Sequence, residues 1–277
     1  MVTTNKKLLS QALRIDRKII YYHHLLEPKD LQIKQEIEQT HLVHPAYGHK
    51  RLALALGYGL NRILRIMHKF GIKPPRRRVK GHYLTKSTSN HNYTNLIKNL
   101  NPSLPNQVLA SDLTYLEYQG KFVYLATIVD VFTREVLGAE IFQRHDSHLA
   151  LSVIKSAINN NKLTVQKGES DLPIFHSDQG TEFMAGIVTH FLEENKIKVS
   201  VSDKASPWQN PHQESFFDKF KSEIGDINRF ETLGELIAEI YAYVHYYNTM
   251  RIHTSLKMPP LVFKQKFLES VSEKMGT

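Results

Sequence analysis

The chain has 277 residues, 41% of them hydrophobic and none of them cysteine; this excludes wholesale disorder, disulfides and thiolate-ligated zinc, and suits a reducing cytoplasm. No stretch reads as a signal peptide or a bilayer span, because the N-terminal residues turn charged again too soon and the best apolar run, "FVYLATIVDVF", is interrupted by Asp130. The net charge of +9 is uneven: residues 1–105 hold 19 Lys+Arg against 5 Asp+Glu (+14), and residues 106–277 hold 17 against 22 (−5), which points to nucleic-acid docking by the first third beside a carboxylate-bearing remainder.

In chain order, "LLSQALRIDRKIIYYHHLL" predicts two short helices around a turn at Arg14-Ile15-Asp16, with Asp16 capping the second. "DLQIKQEIEQTHLVHP" predicts a third helix, capped by Asp30 and stopped by Pro45. Residues 49–56 form a fourth, the Gly57-Tyr58-Gly59 turn follows, and a fifth runs to Phe70, with Gly71 as its C-cap. In that fifth helix Leu60, Ile63, Leu64, Met67 and Phe70 make an apolar face, and Asn61, Arg62, Arg65, His68 and Lys69 occupy the others. Helix, glycine turn and amphipathic helix with a basic outer face is helix-turn-helix grammar. His41, His44 and His49 lack a cysteine beside them and read as polar or phosphate contacts, not zinc ligands. The Pro-, Ser-, Asn- and base-rich stretch from Pro74 to Pro105 reads as a linker lying on phosphate, with Arg76, Arg77 and Arg78 at its start.

After Pro105 the pattern changes to strands. "QVLASDLTYLEY", "KFVYLATIVDVFT" and "EVLGAEIF" predict a meander; a helix, the strand "LPIFHSD", a helix from Thr181 and the strand "KVSVSD" follow. The expectation is an α/β sheet with helical faces. Asp112 lies inside the first strand among apolar neighbours, where an ionised carboxylate needs compensation. Asp178 ends a later strand, either shaping the "SDQG" turn or ligating a metal. A helix starting near His212 carries an apolar stripe of Phe216, Phe217, Phe220 and Ile224, with Glu214 at its rim and Lys221 seven residues on, sharing one face with it. Lys221 could equally pair with Asp218. Asp130 reads as structural, and His176 as an orienter of Asp178 or an ordinary strand-end histidine.

Asp112, then Asp178, then thirty-five residues, then Glu214 with a basic residue seven further on resembles the DDE transposases and retroviral integrases. The likeness is greatest to the second-frame product of the bacterial insertion-sequence family numbered three, and it covers nearly the whole chain. "SDLTYLEYQGKFVYLATIVDVFTREVLG", "HSDQGTEF", "NPHQESFFDKFKSE" and "YYNTMRIHTSLKMPP" are similar to its ordered blocks, and "YGHKRL" with "LNRILRIMHKFGI" to its helix-turn-helix domain. The chain departs from the family in having Asn210-Pro211-His212-Gln213 where an Asn-Ala-type sequence is usual, and Trp208 in the same loop.

The resemblance implies an RNase-H-like core, a mixed five-stranded sheet with flanking helices, preceded by all-α helix-turn-helix domains. The expected division is a small helix-turn-helix at residues 1–27, a DNA-binding one at 28–75, a basic linker at 76–105, the catalytic core at 106–268 and a tail at 269–277. It implies Asp112, Asp178 and Glu214 as catalytic residues binding two Mg²⁺ ions, with Mn²⁺ as a substitute, for strand cleavage and 3′-OH strand transfer. DNA contacts are expected from Lys221, Lys50, Arg51, Asn61, Arg62, Arg65, Lys69, Arg76, Arg77, Arg78, Trp208 and Arg251, with Trp208 reading equally as a hydrophobic anchor for its loop. The implied partners are double-stranded element ends and target DNA, a second copy or more of the chain, and an upstream-frame protein or fusion; the implied location is the bacterial cytoplasm, at the nucleoid. A nuclease without strand transfer and a DNA-binding regulator derived from a transposase are the competing readings, and the intact carboxylate set speaks against the regulator.

Overall fold

The computed structural model describes residues 6–16, 18, 26–75, 93–161, 172–203, 206 and 209–275. They fall into two units, Met1–Pro74 and Pro75–Thr277. Among the described residues no helix is long and apolar enough to cross a membrane.

The first unit is helical: α1 (Lys6–Leu13), α2 (Leu26–Val43), α3 (His49–Leu56) and α4 (Leu60–Lys69). Gly57 closes α3 in the left-handed region (φ 70°) and Gly59 opens α4 from an extended conformation, so the glycine turn forms as expected. Gly71 ends α4 in the same left-handed way, with Ile72 N–H donating to Met67 O. Ile33, Ile37, Leu52, Ile63, Ile66 and Met67 fill the core.

Two expectations need correcting. The buried stripe of α4 is Ile63, Ile66 and Met67, while Leu60 is 44% exposed; α4 packs on both α2 and α3, and that two-sided packing draws Ile66 inward. Asp30 is not an N-cap either. Helix α2 starts at Leu26, with Pro28 tolerated in its first turn, and Asp30 shares the inward face with Ile33 and Ile37.

The second unit is built on a five-stranded sheet in the order β3-β2-β1-β4-β5. Strands β1 (Val108–Tyr118), β2 (Lys121–Asp130) and β3 (Val136–Phe142) are antiparallel; β4 (Ile174–Ser177) and β5 (Lys198–Val201) run parallel to β1. Gln119 and Gly120, both at positive φ, make the two-residue β1–β2 turn, whose twist matches the strands. Helices α5 (Ser147–Asn161) and α6 (Gly186–Glu194) belong to one core, with Leu109, Ile128 and Phe175 from the sheet. Helices α7 (Pro211–Glu223) and α8 (Leu233–Thr249) belong to the other, with Leu116, Leu125 and Val129. Helix α9 (Pro260–Met275) follows. Helix α6 begins later than the sequence pattern predicts: residues 181–184 stay in turns, and Phe183 from that stretch is buried in the α5–α6 core.

Asp130 has the structural role expected of it. Fully buried at the end of β2, its carboxylate accepts from Thr133 Oγ1 (2.7 Å), Phe132 N–H (2.9 Å) and Asn106 N–H (3.1 Å).

Candidate active site

Asp112 sits on β1, the middle strand, and shares the strand's parity with Leu116 and Tyr118, so it faces α7. Strand β4 pairs with β1 only over Val108–Ala110, the last rung being Ala110 with His176. Two residues beyond that rung come Asp112 on one strand and Asp178 just past the end of the other. Parallel register thus makes the two aspartates neighbours on one face, at the carboxyl end of β4, where an α/β sheet opens its ligand sites.

Asp178 does shape its turn: Oδ1 accepts the Gly180 N–H at 3.0 Å. A methyl group on Gly180 would lie 2.9 Å from both Asp178 Oδ1 and Glu182 Oε2, so only glycine leaves these two carboxylates undisturbed. The turn bond accounts for one oxygen of Asp178 and leaves the other for a second task.

Pro211 opens α7 at its first position, and Phe216, Phe217 and Phe220 hold the helix on the sheet. Glu214 lies exposed in the first turn of α7, where the helix dipole favours a carboxylate. Lys221 follows two turns later, its Nζ 5.4 Å from the centre of the Tyr115 ring. Asp218 pairs with Lys219 at 3.1 Å.

Electrostatics join these groups. Burial above all, then the charges of Asp178 and Glu214, push the Asp112 carboxyl up to about 7, against the Leu113 N–H and Lys221. Burial of the carboxyl first, and then the charge of Glu182, lift Asp178 too, against the Gly180 N–H. Among the described residues no three acidic or imidazole groups already converge as a finished cage. The donor set is nevertheless all carboxylate oxygen with surplus negative charge, which fits a hard divalent cation.

The other candidates scatter. Lys50, Asn61 and Arg62 are exposed on the first unit, and the Arg51 guanidinium lies 5.7 Å from the Tyr47 ring. Arg65 and Lys69, expected on DNA, pair with buried Asp30 at 2.5 and 3.0 Å. Arg251 is corrected outright: it is 1% exposed and gives Nε and Nη2 to Glu223 at 2.7 and 2.5 Å, so no DNA phosphate reaches it. Arg76, Arg77, Arg78 and Trp208 lie outside the described residues. His176 is buried with Nδ1 2.9 Å from Ser200 Oγ, an ordinary interior interaction. His41 Nε2 is 2.9 Å from Tyr47 O and His44 stacks on Tyr47, so both serve the helical unit itself. Asn210, Gln213 and Glu182 carry no local signal in the sequence; their roles emerge only once the strands are paired.

Residues 102–207 and 195–260 each match a family model described as an integrase core domain. The transposase for insertion sequence element IS904 of Lactococcus lactis is 30% identical over 83% of this chain and 93% of its own length. The chain belongs to the insertion-sequence transposases. A 31 kDa protein of insertion element IS600 from Shigella sonnei, 30% identical over 86% of this transposase and 89% of itself, is a further relative. A solved chain of the simian T-cell lymphotropic virus intasome, in complex with PP2A regulatory subunit B56 gamma, covers 82% of this chain and 73% of its own with a TM-score of 0.51. At 17% identity that likeness is one of fold, and it matches the RNase-H-like sheet of integrase cores. The transposase is therefore a DNA-acting enzyme with an integrase-type core.

Proposed function

We propose that Asp112, Asp178 and Glu214 are the catalytic carboxylates with which this transposase cleaves element ends and joins them to target DNA. The observation that carries the reading is the β1–β4 register, which makes Asp112 and Asp178 neighbours on the face against which α7 brings Glu214. Burial first, and then the charges of Asp178 and Glu214, raise the Asp112 carboxyl, so the ionised set needs a counter-charge. Two divalent ions, Mg²⁺ with Mn²⁺ as a substitute, would be held by these three carboxylates and would supply charge neutralisation and polarisation of the attacking and leaving oxygens. The chain's own part is to fix the carboxylates, to hold a DNA phosphate with Lys221, and to dock the element end on the basic first unit through Lys50, Asn61 and Arg62. Water frees a 3′-OH, and that 3′-OH attacks the target phosphodiester, so no covalent protein–DNA intermediate is needed. Residues 28–75 serve as the docking domain and residues 76–105 as the linker, and two or more copies act on paired ends.

Strand transfer with pre-cut element ends and Mg²⁺ tests this. Asp178→Asn and Glu214→Gln should abolish cleavage and joining while end binding persists. Cleavage without joining in the wild-type protein would favour the nuclease reading. Retained cleavage in the variants would sink the metal-ligand assignment.

A further inference from the structure

Helix α7 is bound to the sheet in two ways. The phenylalanine stripe supplies apolar packing, which is non-directional and does not by itself fix where along β1 the helix stands. A second set of interactions is directional and lands around one residue. Gln213, fully buried, donates from Nε2 to Ala110 O at 2.6 Å and to Thr127 O at 3.0 Å, and its Oε1 accepts from Thr127 Oγ1 at 2.8 Å. Asn210 donates from Nδ2 to Ser111 O at 2.9 Å. Ala110 and Ser111 are the two residues before Asp112, and Thr127 is the residue opposite Asp112 on β2. These bonds therefore grip the sheet within two residues of Asp112 on β1 and at the residue opposite it on β2, from the residue next to Glu214 and from the residue just before the helix.

The cost of the arrangement shows in Asn210. It stands at the N-cap position, where an Asn side chain ordinarily accepts a backbone N–H of its own helix, yet it makes no such bond. Its amide is turned to β1 instead, and its buried Oδ1 has no hydrogen-bond partner among the described residues. Local helix capping is given up for a bond that sets helix against strand.

We infer that Gln213 and Asn210 are positioning residues for the transposition reaction, fixing where Glu214 stands relative to Asp112 and so how tightly the carboxylates hold their divalent ions. This rests on the carboxylate assignment proposed above. The test measures Mn²⁺ binding to the full chain by calorimetry, the Mg²⁺ concentration for half-maximal strand transfer, and the melting temperature. Gln213→Met removes the donor at nearly constant volume, and Thr127→Val removes one bond isosterically should Gln213→Met fail to fold. Phe220→Leu loosens the same helix through packing alone. Gln213→Met should weaken Mn²⁺ binding about 10-fold or more and raise the Mg²⁺ requirement by a similar factor. Thr127→Val should do the same to a smaller extent, and Phe220→Leu should lower only the melting temperature. Unmoved Mn²⁺ affinity in both clamp variants, with Glu214→Gln inactive, would overturn this inference alone. Retained strand transfer in Glu214→Gln would overturn the carboxylate assignment and this inference with it.

Discussion

Asp112 bears a charge burden that a strand residue sheds most easily by staying protonated. Its carboxyl is pushed up to about 7 by burial and by Asp178 and Glu214, from an ordinary value near 3.8. A carboxyl raised on folding favours the folded state where it keeps its proton, so this contribution to stability falls as pH rises from about 4 to about 7 and is absent above. In metal-free protein at pH 8, Asp112→Asn should therefore raise the melting temperature, by roughly 2–4 °C for each 1 kcal/mol of relief in a domain of this size. Mg²⁺ should stabilise the wild type more at pH 8 than at pH 5.5, and the substitution should remove most of that difference. A lower metal-free melting temperature for Asp112→Asn at pH 8 would show that the carboxylate is not under strain from its neighbours. Asp178 was legible in the sequence both as a turn former and as a ligand, and the turn half of that choice holds through Gly180. Its position beside Asp112 was not legible, because adjacency depends on which strands pair and in what register.

At the scale of elements, α7 and α4 were readable to different depths. Three phenylalanines and an isoleucine at helical spacing mark the buried face of α7, and all four are buried. Helix α4 misled, since Leu60 and Leu64 compete with Ile66 for the inward face and only packing against two neighbours decides. Asp30 looked like a cap because it precedes an apolar run; its partners Arg65 and Lys69 lie far along the chain and leave no local signal. Arg251 is the clearest case. The motif places an arginine there, but nothing local says that it closes on Glu223 and shares that carboxylate with Tyr243 Oη at 3.0 Å. Beside it Asn248 bonds both N–H and C=O of Val136, tying the end of α8 to β3. Removing one partner of a buried ion pair strands the other, so Glu223→Ala should cost on the order of 3 kcal/mol. Arg251→Met should also melt earlier, while the folded fraction of either variant binds element ends as the wild type does. An Arg251→Met protein with unchanged melting and weakened end binding would return Arg251 to the DNA surface.

Across the whole molecule, the charge segregation seen in composition survives in the structure, with part of the positive charge already committed. Of the cations expected on DNA in the first unit, Arg65 and Lys69 hold Asp30, while Lys50 and Arg62 stand in solvent. The Arg65 guanidinium, helped by Lys69, holds the Asp30 carboxyl well below the usual carboxylate range. A carboxyl lowered on folding stabilises the fold above its ordinary value and loses that contribution as pH falls further, so Asp30 should make the helical unit acid-sensitive below about pH 4. The two pairs of cations then predict different failures. Every DNA phosphate that a cation ceases to neutralise should reduce the slope of log affinity against log salt by about 0.9. Lys50→Ala with Arg62→Ala should flatten that slope for element-end DNA by roughly 2 and leave melting unchanged. Arg65→Ala should instead lower the melting temperature at pH 7, because Asp30 keeps its charge in the interior with one partner fewer, and should change the slope little once unfolded protein is discounted. Salt titrations of end binding alongside thermal melts separate the two. A slope flattened by a full unit in Arg65→Ala, with no change in melting, would mean that Arg65 serves DNA and not Asp30.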